Sequence, residues 1–225
     1  KSKKKYKDLK RRNFYLGSRF NNKEIKKTLL KYKNKISFNL EKNISKKSAE
    51  IISKGNILGW FQGAAEFGPR ALGNRSILCK PFPNKMKNHM NKNVKFRENF
   101  RPFAPAILNN FAKEFFELDQ ESQHMLIATK VKNDKKKYIP ATVHVDNSCR
   151  VQTVHEKTNK KFFDLINYFY KITNVPVVLN TSFNVKGQPI VNDPEDAILC
   201  FLKYRIDYLA IGDFIVSKSN SKNSF

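Results

Sequence analysis

Hydrophobic residues recur at helical spacing in several parts of the chain. After Asn22, a residue type that caps helices, Ile25, Leu29 and Leu30 share one stripe, so we expect a helix through about Lys33. The same spacing predicts helices over residues 45–54, which Gly55 ends, over residues 84–95, and in FAKEFFEL, KKFFDLINYFYKI and, after the cap residue Asp193, PEDAILCFLKY.

Short apolar runs bounded by Gly, Pro or Asn predict strands between these helices. Because strands and helices are mixed along the chain, we expect an α/β or α+β domain with a twisted mixed sheet and flanking helices. The expected strands are ILGWFQ, SILCK, FAPAIL, HMLIAT and PATVHV on either side of an NDKKK turn, RVQTV, VPVVLNTSFN, and two within DYLAIGDFIVSK.

The length suits one domain with a sizeable core. A chain of 225 residues buries about 70% of its unfolded surface when it folds. No run of 18 apolar residues is present, so we expect no membrane-spanning helix. The sequence starts with Lys1 rather than Met and lacks the apolar stretch of a signal peptide, so we expect a fragment or a processed chain.

Cysteine and histidine spacing predicts neither disulfides nor a metal site. Cys79, Cys149 and Cys200 are far apart in sequence, which favours reduced thiols and a cytoplasmic protein. The four histidines lack metal-ligand spacing. His144 and Asp146 could point to one side of a strand, but a hydrogen bond explains such a pair better than a metal ion does.

The charge raises the question of nucleic-acid binding. The formal net charge is +25, yet the first 50 residues alone hold 18 basic and 4 acidic side chains. Most of the cations are lysines, whereas direct base readout favours arginine, and no RNA-recognition or zinc-finger motif is present. We therefore do not expect specific nucleic-acid binding to be the main function.

The few arginines are more informative than the many lysines. Where lysine is the usual cation, a position that keeps arginine needs its planar guanidinium, which binds phosphate or carboxylate through two hydrogen bonds. Any one of these arginines could instead pair with a structural carboxylate. Five of the nine arginines lie in motif-like segments: Arg70, Arg75, Arg97, Arg101 and Arg150.

The segment EFGPRALGNRS suits a phosphate-binding loop. Gly68 and Gly73 allow turns, and Pro69 stiffens the first of them. Arg70 and Arg75 would then project from a fixed loop toward a cluster of phosphate oxygens.

The segment KFRENFRPFAP predicts a second group of cations. In an extended chain, positions 95, 97 and 101 share one face. Lys95, Arg97 and Arg101 would then converge, with the phenylalanines between them anchoring the back. The alternative is an amphipathic edge strand with a solvated charged face.

The segment NTSFNVKGQP follows an apolar strand and offers uncharged donors and acceptors. Strand ends that open into polar loops are where α/β sheets place ligand groups. Asn180, Thr181, Ser182 and Asn184 would suit a base, a ribose or a carbamoyl amide. A plain β-turn is the alternative.

Taken together, these motifs resemble the carboxy-terminal domain of O-carbamoyltransferases that act on nodulation factors and antibiotics. The resemblance covers about residues 50–218, and LGSRFNNKEI is similar to the family's linker just before it. The segments that carry it are, in chain order, GWFQGAAEFGPRALGNRSIL, KFRENFRPFAPAIL, RVQTV, PVVLNTSFNVKGQPIV and DYLAIGDFIVSK.

The resemblance implies a YrdC-like fold that binds ATP with Mg²⁺ and carbamoyl phosphate, and forms carbamoyl-adenylate. It also implies a separate amino-terminal domain of the actin-like ATPase type, which passes the carbamoyl group to a hydroxyl acceptor such as a sugar. We accordingly expect a basic helical linker at 1–49, the domain at 50–218 and a polar tail at 219–225.

For this reaction, which needs positive charge around two polyanionic substrates, the residues of the three motifs would form the site. Catalysis would be mainly positioning and electrostatics by Arg70, Arg75, Lys95, Arg97 and Arg101. The nucleotide-binding residues would be Arg150, Asn180, Thr181, Ser182 and Asn184. The alternative function is a nucleotide- or RNA-binding module that has no catalysis of its own.

Two positions depart from the family pattern. Ala64 and Ala65 stand where the family usually has a basic residue and Met before Glu66, which removes one cation from the loop. Gln188 replaces the usual acidic residue between Gly187 and Pro189, which keeps the turn but removes a charge.

Overall fold

The computed structural model describes residues 14–219, a mixed sheet with helices on both faces. The basic run at residues 1–12 and most of the predicted polar tail lie outside this range. The helices are α1 (Asn22–Lys31), α2 (Ile44–Ser53), α3 (Lys85–Met90), α4 (Ala112–Phe115), α5 (Lys160–Thr173) and α6 (Pro194–Lys203).

Eight strands form the main sheet in the order β1-β10-β9-β2-β3-β8-β4-β7, and β5 pairs with β6 separately. The β9·β2 and β4·β7 pairs are parallel, and the other main-sheet pairs are antiparallel. The strands are β1 (Ile36–Leu40), β2 (Leu58–Phe61), β3 (Arg75–Cys79), β4 (Ala104–Leu108), β5 (Ala128–Lys130), β6 (Ser148–Arg150), β7 (Gln152–Val154), β8 (Val177–Ser182), β9 (Tyr208–Ile211) and β10 (Phe214–Lys218).

The central strands are apolar on both sides because helices cover both faces of the sheet. Leu58 and Trp60 of β2 pack into the core with α2 and α5, whereas Phe61 packs into the opposite core with α1, α3 and α6. All four residues of β2 are buried, which explains the continuous apolar run. The expected mixed sheet with flanking helices is confirmed.

Side-chain caps fix the helix starts. Asp193 caps α6 as expected, and its carboxylate accepts a hydrogen bond from the Asp196 amide at 2.9 Å. At α1 the cap is Asn21 rather than Asn22, because Asn21 and Glu24 form a reciprocal capping box. The helix then ends at Lys31, two residues before the expected end.

Three predicted elements were wrong or too long. PATVHV is not a strand: it begins with a 3₁₀ turn, Pro140–Thr142, and continues into a turn before β6. Of the HMLIAT segment, only its last two residues are extended, in the strand Ala128–Lys130. The segment that follows Lys95 is not extended either, because five residues of π-helix, Asn91–Lys95, lead into Phe96, whose φ of 48° is left-handed.

The chain before residue 50 contributes to the domain. β1, which the apolar pattern did not predict, pairs with β10 along five residues and forms one edge of the sheet. Ile25 and Leu29 of α1 are buried against the core on the α6 side. Within residues 14–219, no helix is both long and apolar enough to cross a membrane.

Candidate functional site

A cavity of about 220 Å³ lies where the carboxyl end of β8 meets the amino ends of β3 and β4. These ends converge because β8 is antiparallel to both neighbours. Hence the EFGPRALGNRS loop, the KFRENFRPF segment and the NTSFN strand end reach one place. The lining residues are Pro69, Arg70, Ala71, Arg97, Pro102, Phe103, Ala104, Met125, His144, Arg150, Asn180, Thr181 and Ser182.

Positive charge dominates the cavity, because its lining includes three arginines and no carboxylate. Burial and the nearby Arg150 both lower the pKa of Arg70. Burial, followed by the charge of Arg101, lowers the pKa of Arg97. Cations that repel one another in a concave site attract an anion, so the arrangement favours phosphate or carboxylate ligands.

Glu66 holds the loop that carries Arg70. One carboxylate oxygen of Glu66 accepts hydrogen bonds from the amides of Leu72, Asn74 and Arg75 at 2.7, 2.7 and 3.1 Å. The loop therefore folds around an internal anion, while Arg70 stays exposed at its tip.

Gly73 gives the loop its close packing. Its φ is +102°, and a Cβ there would lie 2.2 Å from the Phe162 ring. The indole N–H of Trp60 donates to the Gly73 carbonyl at 2.8 Å. The expected turn role of Gly73 is thus confirmed.

Arg75 does not project from this loop, contrary to our expectation. It is the first residue of β3 and is fully buried. Its guanidinium donates to the carbonyls of Gln62 at 2.7 Å and Ser18 at 2.9 Å, and it lies 3.6 Å from the centre of the Phe61 ring. Burial lowers its pKa to about 10. Arg75 therefore stabilises the structure behind the cavity.

Lys95 also lies behind the cavity. It is 5% exposed, and its ammonium donates to the carbonyls of Ser182 at 2.9 Å and Asn184 at 2.7 Å and to the Asn184 side chain at 2.8 Å. Burial, followed by the charge of Arg97, lowers its pKa to about 7. Lys95 thus fixes the turn after β8, and the side chain of Asn184 faces Lys95 rather than the cavity.

Arg97 reaches the cavity while three contacts fix its guanidinium. Its Nε donates to Asn91 Oδ1 at 2.8 Å, its Nη2 donates to the Pro102 carbonyl at 3.2 Å, and the guanidinium lies 4.6 Å from the centre of the Phe103 ring. Of the three phenylalanines expected to anchor this segment, only Phe103 is buried, and Phe96 and Phe100 are exposed.

Arg101 is outside the cavity lining. Its Nε lies 2.9 Å from the carboxylate of Glu98, three residues earlier, and its side chain is half exposed. The structure therefore brings Arg97 to the cavity but does not bring all three predicted cations of this segment together.

Asn180 contributes a buried polar wall. It is 1% exposed, and its Nδ2 donates to Gln152 Oε1 at 2.9 Å and to the Ala71 carbonyl at 3.2 Å. Its Oδ1 has no hydrogen-bond partner among residues 14–219. A buried acceptor without a partner is costly, so a ligand N–H or O–H there would be favourable.

Comparison with known proteins places this geometry in a family. Residues 49–218 match the family described as Carbamoyltransferase C-terminus. The chain belongs to this family. It is 45% identical over 179 residues to nodulation protein NolO of Bradyrhizobium diazoefficiens, a match covering 78% of this chain and 33% of that protein.

A further relative agrees with this membership. The chain is 42% identical over 228 residues to a Synechocystis protein, sll1178, covering 91% of this chain and 37% of that protein. The chain thus spans about a third of the length of these relatives.

Solved structures of HypF share the fold. The T. kodakarensis HypF structure aligns with a TM-score of 0.54 at 17% identity, over 82% of this chain and 23% of that one. A second, described as full-length HypF in the phosphate- and nucleotide-bound form, aligns with a TM-score of 0.51 at 17% identity, over 82% of this chain and 22% of that one.

In this member of the family, the cavity includes two residues that the motifs did not select, His144 and Met125. The sequence singled out His144 only for its spacing from Asp146. The Asp146 carboxylate accepts a hydrogen bond from the Ser148 hydroxyl at 2.7 Å. Burial lowers the pKa of His144, the charge of Asp146 opposes this in part, and Lys87 and Arg150 lower the pKa further. Met125 lies between apolar runs and carries no motif, so only the fold could identify it.

A second cavity, of about 280 Å³, adjoins the first at His144, and Lys87 and Lys136 line it. Among residues 14–219, no three side chains of the His, Cys, Asp and Glu types are grouped to hold a metal ion. The carboxylate-free lining of the first cavity does not suit a resident Mg²⁺.

Proposed function

We propose that this domain forms carbamoyl-adenylate from ATP and carbamoyl phosphate. Hydrolysis of carbamoyl phosphate supplies carbamate and releases inorganic phosphate. A carbamate oxygen then attacks the α-phosphorus of ATP. The bond from this phosphorus to the bridging oxygen of the β-phosphate breaks, and pyrophosphate leaves. No covalent enzyme intermediate is needed, so the protein contributes positioning and charge.

The observation that carries this proposal is the carboxylate-free cavity with three arginines in a member of the carbamoyltransferase family. Arg70, Arg97 and Arg150 would bind phosphate oxygens, and each guanidinium can donate two parallel hydrogen bonds. Binding the leaving pyrophosphate and the charged phosphorus centre at the same time would lower the barrier.

The β8 end would recognise the carbamoyl group. The unpaired Oδ1 of Asn180 would accept a carbamoyl N–H, and the Thr181 hydroxyl would donate to a carbamoyl oxygen. The Ser182 hydroxyl already donates to Asn184 Oδ1 at 2.7 Å, so its oxygen would accept a second carbamoyl N–H. Lys95 and Asn184 hold this strand end from behind. Arg101 lies outside the cavity lining, so we propose that it contacts ligand only in a more closed state.

The size of the cavity agrees with a site that holds the phosphates and the carbamoyl group but not the adenosine. A volume of about 220 Å³ is below the usual range of roughly 300–1,000 Å³ for a ligand pocket, so adenosine would extend past His144 into the adjoining cavity. The HypF structure with phosphate and nucleotide bound supports nucleotide use in this fold. Mg²⁺ would enter on the phosphates of the nucleotide.

Transfer to a hydroxyl acceptor would be the task of a separate domain. The chain spans about a third of its relatives' length, and the resemblance assigns this step to an amino-terminal actin-like ATPase-type domain. The acceptor would be a hydroxylated small molecule or sugar. We place the reaction in the cytoplasm because all three cysteines are buried free thiols.

Carbamoyl phosphate-dependent exchange of labelled pyrophosphate into ATP tests the proposal. Replacing Arg70 or Arg97 by Lys keeps the charge but removes one arm of the guanidinium, so we expect each change to slow exchange roughly 10- to 100-fold. Arg205→Lys, at an exposed arginine outside the cavity lining, is the matched control and should leave exchange unchanged.

Two outcomes would decide against the enzymatic function. ATP binding without any exchange would favour the nucleotide-binding module that lacks catalysis. Tight RNA binding at 200 mM salt with no ATP binding would favour an RNA-binding module, because non-specific phosphate contacts weaken steeply with salt.

A further inference from the structure

Residues 14–18, which we call the strap, lie alongside the loop that carries Arg70. The Phe67 amide donates to the Phe14 carbonyl at 2.7 Å, and the Gly17 amide donates to the Ala65 carbonyl at 3.0 Å. The Ala65 amide completes the pairing by donating to the Ser18 carbonyl at 2.9 Å. These bonds resemble a short strand pair, so the position of the strap constrains the first half of the loop.

The close approach of the two segments depends on Gly17. A Cβ at this position would lie 2.8 Å from the Ala65 Cβ and 3.1 Å from the Ala65 carbonyl oxygen. A larger residue would therefore push the strap away from the loop.

Tyr15 extends the contact to the cavity wall. Its hydroxyl donates to the Leu72 carbonyl at 2.9 Å, and the side-chain Nε2 of Gln152 donates to the same carbonyl at 2.8 Å. Gln152 Oε1 in turn accepts from Asn180 Nδ2, and Asn180 lines the cavity. A continuous series of hydrogen bonds thus joins the strap to Asn180.

The Tyr15 hydroxyl also accepts a hydrogen bond. Asn159 Nδ2 donates to Tyr15 Oη at 3.0 Å and to Asn74 Oδ1 at 3.0 Å. Arg75 ties the strap to the base of β3 through the Ser18 carbonyl. The strap, both ends of the Arg70 loop and the Asn180 wall therefore form one hydrogen-bonded unit.

We infer that the strap positions the anion-binding cavity, with Tyr15 as the positioning residue that sets the Arg70 loop and Asn180 relative to each other. This inference rests on the proposed anion-binding function. Tyr15 does not line the cavity, so it acts through Leu72 and Gln152. Because coupling is reciprocal, an anion in the cavity should also tighten the strap on the loop.

Pyrophosphate binding by the 225-residue chain, measured by isothermal titration calorimetry, tests this coupling. Tyr15→Phe removes the hydroxyl but keeps the ring, and we expect it to weaken binding roughly 3- to 10-fold. Tyr168→Phe is the matched control, because that half-buried hydroxyl also takes part in a hydrogen bond, from Asn43 at 3.0 Å, away from the cavity. It should leave binding unchanged.

Hydrogen exchange supplies a measurement that a purely structural role would not change. In the wild-type chain, saturating pyrophosphate should slow exchange of the Gly17 and Phe67 amides several-fold, whereas in Tyr15→Phe it should slow them less. Gly17→Val displaces the strap by steric conflict. It should weaken pyrophosphate binding even if local rearrangement in Tyr15→Phe replaces the lost hydrogen bond.

The results separate this inference from the function on which it rests. If the wild-type chain binds neither ATP nor pyrophosphate, both proposals fail. If the wild-type chain binds pyrophosphate and both strap variants bind it equally well, the coupling inference alone fails. Weakened binding in Tyr168→Phe as well would also overturn it, since the effect would then be general destabilisation.

Discussion

Arg70 and Arg75 belong to one loop sequence, five residues apart, yet they sit in opposite environments. Arg70 is exposed at the edge of the cavity, and the partial burial of its guanidinium, followed by the charge of Arg150, lowers its pKa. Arg75 is fully buried and donates to several backbone carbonyls, including that of Ser18. The Arg70 guanidinium faces a cavity where an anion can bind. The Arg75 guanidinium supplies hydrogen bonds to carbonyls that are buried and that water cannot reach.

The same division appears in the next segment. Arg97 lines the cavity, whereas Lys95 is buried against the carbonyls of Ser182 and Asn184. Motif membership therefore does not separate ligand-binding cations from structural ones. The decisive difference is how many of the donors of the cation other protein groups have already used: Lys95 donates to two backbone carbonyls and a side chain, whereas Arg97 keeps Nη1 without a protein partner among residues 14–219.

Replacing Arg75 by Leu should have the largest effect on stability. It leaves the carbonyls of Ser18, Gln62 and Asn74 buried without this donor. We expect the free energy of unfolding to fall by about 3 kcal/mol or more. Arg70→Leu, at the exposed position, should change it by no more than about 0.5 kcal/mol.

Urea unfolding at neutral pH measures the free energy of unfolding of the two variants. Pyrophosphate exchange by the folded protein then measures their activity. Arg70→Leu should lose most of its exchange activity while it remains stable. Equal stability losses in the two variants would show that the two arginines do not differ in role as the structure indicates.

The sequence predicts the convergence of the motifs better than the role of each residue within them. Asp193 before Pro194 identified the start of α6, and Gly73 identified the sharp turn in the loop, because both signals are local. The burial of Arg75 depends on the Ser18 carbonyl, 57 residues earlier in the chain. No local pattern encodes such a contact.

The failed strand predictions have a similar cause. The alternation of cations and phenylalanines after Lys95 favoured an extended chain, but the π-helical turn and the left-handed Phe96 change the direction of each side chain. Pro140 begins a 3₁₀ turn in place of the predicted PATVHV strand. His144, which lines the cavity, lies on that irregular path.

Lys95 should give the folded protein a characteristic pH dependence. Burial lowers its pKa to about 7, while in the unfolded chain lysine titrates near pH 10.4. Between these values the unfolded chain binds one more proton, so this group makes the free energy of unfolding rise with pH. Against Lys95→Met, the wild-type stability should improve by about 1 kcal/mol per pH unit from pH 7.5 to 9.

Urea unfolding at several pH values measures this difference, and Lys27→Met, at an exposed position on α1, is the control. The difference between wild type and Lys27→Met should not change with pH. A pH-independent difference for Lys95→Met would mean that the surrounding oxygens keep Lys95 charged throughout, which would contradict the lowered pKa.

Arg101 should give the smallest effect and completes the comparison. Its guanidinium is half exposed and already pairs with Glu98 at 2.9 Å. An exposed ion pair contributes at most about 1 kcal/mol, and lysine can retain most of it. We therefore expect Arg101→Lys to leave stability unchanged within about 0.5 kcal/mol and to slow pyrophosphate exchange less than Arg97→Lys does. Parallel exchange assays of the two variants decide this point. If Arg101→Lys slows exchange as much as Arg97→Lys, the 97–103 segment must rearrange when substrate binds, so that Arg101 leaves Glu98 and reaches the phosphates.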